Sequence, residues 1–283
     1  MGLLLSFPAM TKNIPVTIIT GASEGIGAEL ARQLATRYGA EMNLVLAARK
    51  RERLDAVADA CRAKGSEVLV VPTDVSIEAQ CRSLVQATID AFGRIDTLVN
   101  NAGVSAQALF QDVDAQDLHW YEDLMRINLW GSVWCTHAAL PHIKQTQGRI
   151  VAVSSLAGLI GVPGRTAYSA SKFAMTGFFE ALRAELKPSG VSVTTAFPGV
   201  VLTDIRAHGL NAKGEVAGSS GLKEDKAMTV SECAYLIATA MQKRQHEVVM
   251  TAQGKLGRFL KLLLPGVVEN MAMAALKDEV KPK

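Results

Sequence analysis

Tyr168 and Lys172 stand four residues apart, which puts both on one face if the stretch around them is helical. An ammonium beside a phenol favours the phenolate and draws the tyrosine pKa down from about 10 toward working pH. A tyrosine so placed can give a proton to a carbonyl oxygen during reduction, or take one from an alcohol during oxidation. Ser155 lies thirteen residues before Tyr168, at the end of an apolar run. Its hydroxyl can donate to an oxygen on which negative charge develops. Taken singly, each residue has a plainer reading. Helices often carry Tyr and Lys at this spacing without catalysis, and a serine at a strand end can simply cap a helix.

A second set could hold a dinucleotide. Thr20-Gly21-Ala22-Ser23-Glu24-Gly25-Ile26-Gly27 comes directly after the first apolar run and opens a helical pattern. Gly21 permits a tight turn, Gly25 lets the backbone approach a pyrophosphate, and Gly27 lets the helix pack close on the strand. The helix start then offers free N–H groups and a positive dipole end to phosphates, with Ser23 and Ile26 completing the binding loop. At the end of the second apolar run, Ala48 stands where an NAD enzyme usually carries an acid for the ribose 2′-hydroxyl. Arg49 beside it can fork onto a 2′-phosphate, with Lys50 and Arg53 adding positive field. Glu24 acts in the opposite sense, as a negative charge in the loop. The balance favours NADP(H).

The elements that must place these groups alternate. Apolar runs at Val16–Thr20, Asn43–Ala47, Glu67–Val71, Thr97–Asn100, Arg149–Ser154, Val191–Ala196 and Glu247–Met250 predict seven strands. Helical periodicity falls between them at Ile26–Tyr38, Arg51–Lys64, Ile77–Phe92, Leu118–Lys144, Tyr168–Lys187 and Ser231–Lys243. Strand and helix in alternation imply an α/β fold: one doubly wound, Rossmann-like parallel sheet with helices on both faces. The strands are nearly continuous in Val, Ile and Leu, as burial on both faces requires.

Composition narrows the partners. The 283 residues are 49% apolar and 20% charged, which excludes a disordered chain. No apolar run reaches the ~18 to 20 residues of a membrane span. The net charge is +3, and residues 255–283 hold six Lys/Arg against three Asp/Glu, leaving 24 of each sign elsewhere. The body therefore has no basic footprint for nucleic acid. Four scattered cysteines and five scattered histidines show no ligand spacing, so no metal site is expected and the thiols suit a reducing, cytoplasmic setting. His119, His137 and His142 match no motif.

The glycine spacing GxxxGxG, together with the motifs downstream of it, resembles the short-chain dehydrogenase/reductase family over roughly residues 14–250. Asn100-Asn101-Ala102-Gly103 matches its NNAG motif, Tyr168-Ser169-Ala170-Ser171-Lys172 its YxxxK, and Ser155 its catalytic serine. The resemblance implies that Asp74 and Val75 contact the adenine. It implies that Asn101, Ala102 and Gly103 line the cofactor, and that Val201 and Thr203, within Pro198–Thr203, hold the nicotinamide carboxamide. It also implies that Lys172 grips the nicotinamide ribose and that Asn128 supports a water relay to Lys172. The expected activity is hydride transfer between NADP(H) and a carbonyl or secondary alcohol. Val162, Pro163, Leu202, Ile205 and Leu210 suggest a hydrophobic substrate. Many relatives are dimers or tetramers, so a homo-oligomer is expected. A 3-oxoacyl thioester reductase is the rival enzyme; the rival of another class is a nucleotide sensor or membrane-associated scaffold without turnover.

Three segments stand outside this core domain, set at 14–253. Residues 1–13 read as a disordered leader; Gly2 and Ser6 fit a myristoylation pattern, no signal peptide is expected, and Met10 is an alternative start. Residues 204–228, rich in glycine and serine, read as a substrate lid. The extension 254–283 begins with bases three apart beside leucines, which suits packing on its own domain, a partner subunit or the active-site rim, or peripheral contact with a membrane.

Overall fold

Strand β1 (Val16–Thr20) is β-branched at all five positions and buried at all of them, so it belongs at the centre of a sheet covered on both sides. In this computed structural model, which describes residues 13–218 and 227–279, it pairs in parallel with β2 (Asn43–Ala48) and with β4 (Thr97–Asn100). β3 (Val68–Pro72) lies outside β2. On the other side β5 (Arg149–Val153), β6 (Ser192–Phe197) and β7 (Glu247–Val249) come after β4 in turn. The order β3-β2-β1-β4-β5-β6-β7 reverses between β1 and β4. At that reversal the chain leaves two neighbouring strands in opposite directions and opens a crevice beyond their C-terminal ends.

Helices clothe both faces. α1 (Gly25–Tyr38), α2 (Arg51–Arg62) and the later α7 (Val230–Gln242) press Leu30, Leu34, Leu54, Val57, Ile237 and Met241 onto one face. α3 (Glu78–Phe92), α5 (Gly131–Gln145) and α6 (Thr166–Leu186) press Leu84, Ala139, Met175, Phe179 and Leu182 onto the other. The seven strands and the alternation match the sequence expectation, with end shifts of a residue or two.

The helix expected over Leu118–Lys144 is divided. α4 (His119–Met125) passes through a π-type turn at Arg126–Trp130 before α5 begins. The turn has a cause: Asn128 within it is completely buried and its amide is claimed by the backbone of Val104.

The glycine-rich stretch expected to lack structure is tied down over residues 204–218. Bridges join Ala106 to Leu210 and Val201 to Met228, and the Trp120 indole donates to the Ala212 carbonyl at 3.2 Å. Residues 219–226 of the expected lid, and the leader through residue 12 with its myristoylation pattern, lie outside the described residues. After β7, Thr251 caps α8 (Ala252–Leu263) by accepting from the Gly254 N–H at 3.0 Å, and Pro265 opens α9 (Pro265–Glu279). Proline suits that first position because a helix's first N–H groups have no partner within the helix.

Candidate active site

The cofactor cradle is built at the C-terminal ends of β1 and β4. Gly21 and Gly25 have φ of +66° and +55°, the left-handed region that favours glycine. A Cβ on Gly21 would lie 2.8 Å from the Ala102 Cα, and one on Gly27 would strike the Gly21 carbonyl oxygen. Close approach, as much as turning, demands glycine here. Asn101 stitches the two strand ends together: its Nδ2 donates to the carbonyls of Thr20 (2.9 Å) and Gly21 (3.2 Å). The Thr20 hydroxyl accepts from the backbone N–H of Asn101 and of Ala102, each at 3.0 Å. Asn101 is thus a brace of the loop.

The residues fit a nicotinamide dinucleotide. Glu24, at the N-cap of α1, gives no side-chain bond to the helix, so the first-turn N–H groups keep their capacity for a phosphate. An added Cβ on Gly25 would meet only Thr203, at 3.4 Å. The segment after β6 therefore arches over the glycine loop, with Val201 buried beneath it. Asp74 is held by Ser76, whose N–H and hydroxyl donate to its Oδ1 at 2.9 and 2.7 Å, and Val75 packs against Gly131. Arg49 is exposed at the end of β2. Glu24 forms an ion pair with Arg53 and approaches His208 Nδ1 at 3.4 Å. Its charge is already partnered.

The chemistry lies one strand further on. Ser154 and Ser155 both come after β5, and the structure separates them. Ser154 is buried and turns to α6, bonding the Lys172 carbonyl at 3.3 Å and the Thr176 hydroxyl at 3.2 Å. Ser155 accepts from the Ala157 N–H at 3.2 Å, and its hydroxyl acts on the Tyr168 phenol in the direction that lowers its pKa. Tyr168 and Lys172 ride the first turns of α6 on one face. Lys172 is buried; its Nζ donates to the Val153 carbonyl at 2.9 Å and stands 5.8 Å from the Tyr168 ring centroid.

Burial sets the proton affinities. It brings the Lys172 pKa down to about 8. Contrary to the lowering expected from Lys172, it pushes the Tyr168 phenol up, and the groups that act against it are Ser155, Arg165 and Arg206. Asn128 meets Lys172 across Gly103, where an added Cβ would lie 3.0 Å from Asn128 Oδ1 and 3.5 Å from Lys172 Nζ. The Asn128 amide accepts from the Val104 N–H at 2.8 Å, and donates to the Val104 carbonyl at 3.0 Å and the Ser171 hydroxyl at 2.9 Å.

Several site residues carry no signal in spacing. Arg206, buried within the glycine-rich segment, donates to the Val201 carbonyl at 3.0 Å. Arg165 donates to Gln107 at 3.2 Å. Both charges act on the Tyr168 phenol, and the one sequence signal for Arg206 is an arginine within a glycine-rich segment. Trp120, Leu124, Ala106 and Ala167 form a small apolar cluster that Tyr168 and Leu210 join. Of the apolar candidates near the site, Leu210 packs on the same cluster as the tyrosine, while Leu202 is exposed.

The model of the short chain dehydrogenase family matches residues 15–213. An 11-beta-hydroxysteroid dehydrogenase-like 4A of Arabidopsis thaliana is 48% identical over 190 residues, 67% of this chain and 62% of that protein. The 11-beta-hydroxysteroid dehydrogenase-like 2 of the same plant is 35% identical over 269 residues, 94% of this chain and 83% of its own. Among solved structures, a short chain dehydrogenase/reductase of Burkholderia phymatum in complex with NAD superposes with a TM-score of 0.76 at 26% identity, over 90% of this chain and 95% of that one. An alcohol dehydrogenase of Thermococcus sibiricus complexed with 5-hydroxy-NADP shares the fold at a TM-score of 0.69 and 24% identity, over 83% of this chain and 95% of its own. The chain belongs to the short-chain dehydrogenase/reductase family.

Proposed function

We propose that this chain is an NADPH-dependent oxidoreductase that reduces hydrophobic ketones or aldehydes to alcohols. The observation that carries the reading is the meeting of Ser155, Tyr168 and Lys172 at the C-terminal end of β5, with the Lys172 ammonium buried and anchored on Val153 close to the Tyr168 ring. The substrate oxygen takes hydrogen bonds from the Ser155 hydroxyl and the Tyr168 phenol. When bound, the dinucleotide supplies the hydride. As charge grows on the oxygen, Tyr168 passes it a proton, and the Lys172 ammonium stabilises the phenolate left behind. Lys172 also holds the nicotinamide ribose, and Asn128 supports the water relay that returns a proton toward Lys172.

The preference for NADPH rests on Ala48 in place of an acid, on exposed Arg49 beside it, and on the pairing of Glu24 with Arg53, which offsets the one opposing charge. The apolar cluster joined by Tyr168 and Leu210 favours a large apolar substrate. Several relatives are named for 11-beta-hydroxysteroids, so a steroid ketone is the first substrate to try. The same reading expects a cytoplasmic homodimer or homotetramer.

The test is titration of the purified protein with NADPH and NADH by fluorescence, then assay against a panel of ketones and aldehydes that includes steroids. Tighter binding of NADPH with turnover of a carbonyl is the expected result. Tighter binding of NADH would sink the cofactor assignment. Binding without turnover across the panel would sink the reductase.

A further inference from the structure

We propose that the outer face of α8, continued into α9, is a docking surface for an anionic lipid interface. On α8, Leu256 is 57% exposed, Phe259 60%, Leu262 78% and Leu263 64%; Leu264 and, on α9, Met271 extend the patch. Leu256, Phe259 and Leu263 recur at three and four residues and share one face of the helix. Scattered apolar residues on a surface are ordinary, but a contiguous run of this kind marks a partner.

The orientation of the helix is imposed from its other side. A Cβ on Gly254 would strike the Leu156 side chain, and one on Gly257 would lie 2.9 Å from Ile160. Lys261 donates to the Leu159 carbonyl at 2.9 Å and lies over the Phe173 ring at 4.7 Å. The two glycines clamp α8 against the segment Leu156–Ile160, so its leucines cannot turn inward.

Charge selects the occupant. α8 carries Lys255, Arg258 and Lys261 and no acid. Lys255 is exposed, and Arg258, paired with Glu247, remains partly open to solvent. A second copy seated by two-fold symmetry on this face would bring like charges together. An anionic headgroup layer matches them, and apolar side chains flanked by bases are what holds a helix in the membrane interface. Among the described residues no helix is long and apolar enough to cross a membrane, so the contact lies in the interface plane.

The clamped segment begins directly after Ser155. Docking therefore sets the mouth of the site against the lipid, where an apolar carbonyl compound partitions. Only this consequence rests on the proposed reductase activity; the docking does not.

The experiment is flotation of the full-length protein with vesicles of phosphatidylcholine alone or mixed with phosphatidylserine, at low and high salt. The protein should float with the mixed vesicles, less so with phosphatidylcholine alone, and less as salt rises. The triple variant Leu256→Ser, Phe259→Ser, Leu263→Ser changes only exposed side chains. It should keep its melting temperature and NADPH binding while losing flotation at least tenfold, and Lys255→Glu should weaken only the phosphatidylserine-dependent part. Wild-type protein that stays unbound in every mixture overturns the proposal, as does a triple variant that floats equally well. A lipid-free dimer that the triple variant dissociates, with no flotation by either, would give the face to a second copy. Flotation without carbonyl turnover would leave the docking standing and remove the reductase alone.

Discussion

The crest of the sheet around β1, β4 and β5 and the α8–α9 roof meet along Leu156–Ile160, yet they are built on opposite terms. In the crest, polar side chains are secured by main-chain partners. Asn101 and Thr20 bind the glycine loop to β4, Asn128 binds the segment after β4 to α6, and Lys172 is anchored on Val153. In the roof, α8 is attached through two glycines, Lys261 and the Arg258–Glu247 pair, α9 buries Val268 and Leu276, and the other large apolar side chains of α8 face outward. A site whose donors are fixed before the substrate arrives needs no reorganisation when charge develops. A surface that leaves its leucines in water has its energetics completed by something outside the chain.

The largest test of that contrast falls on the crest. Tyr168→Phe removes the hydroxyl proposed to transfer the proton, and kcat for carbonyl reduction should fall roughly 10²- to 10⁴-fold. The NADPH dissociation constant, measured by fluorescence, should hardly move. A glycine pair then compares packing in the two regions. Gly27→Ala puts a methyl into the Gly21 carbonyl and should cost about 1 to 3 kcal/mol of stability, with weaker cofactor binding. Gly266→Ala, near the start of α9, meets nothing within 4 Å and should leave the denaturation midpoint unchanged or slightly raised. Equal losses at the two sites would mean the roof is as tightly built as the crest.

Proton affinities supply the next test. Lys172 keeps its charge below its depressed pKa of about 8 and loses it above. Burial holds the Tyr168 proton on, which suits an acid. Reduction should therefore run on a plateau below pH 8 and decline above it, limited by about tenfold per unit, while alcohol oxidation should rise with pH. Stability should move the other way: between about 8 and the ordinary lysine range the unfolded chain binds the extra proton, so folding gains as pH rises. A reduction profile flat through pH 9 would detach Lys172 from the chemistry.

Legibility in the chain divides along the same line. The glycine loop, Ser155, Tyr168 and Lys172 are readable because their geometry is local: a turn, a strand end and one helical face set them. The sheet was readable because strands buried on both faces have nearly continuous apolar composition. The division of the fourth helix was not, since the π-type turn answers to Val104, 24 residues before Asn128. Trp120 and Ala212, 92 residues apart, meet through the path of the glycine-rich segment, which no periodicity records. Arg165 and Arg206 likewise reach Tyr168 through tertiary placement. The outward turn of α8 depends on what its glycines touch, and a helical pattern does not specify that.

The smallest effects belong to the edge of the crest, at the end of β2. Arg49→Ala should raise the Michaelis constant for NADPH about tenfold, the scale of one hydrogen bond to a charged group, with little change for NADH. Equal changes would remove Arg49 from the phosphate. Glu24→Gln is the finer probe, because Glu24 has two partners: Arg53, which binds it in an exposed ion pair, and His208 in the glycine-rich segment. Such a pair is worth about 0 to 1 kcal/mol, so its loss should not unsettle the fold. Releasing Arg53 and deleting one negative charge both favour a 2′-phosphate. The Michaelis constant for NADPH should therefore fall a few-fold at most, and that for NADH should stay where it is. If NADPH binding instead weakens, Glu24 serves the cofactor by holding Arg53 in position, and the ion pair is part of the phosphate site. Repeating the measurement with His208→Gln separates the partners, since His208 reaches Glu24 from the glycine-rich segment and cannot place Arg53.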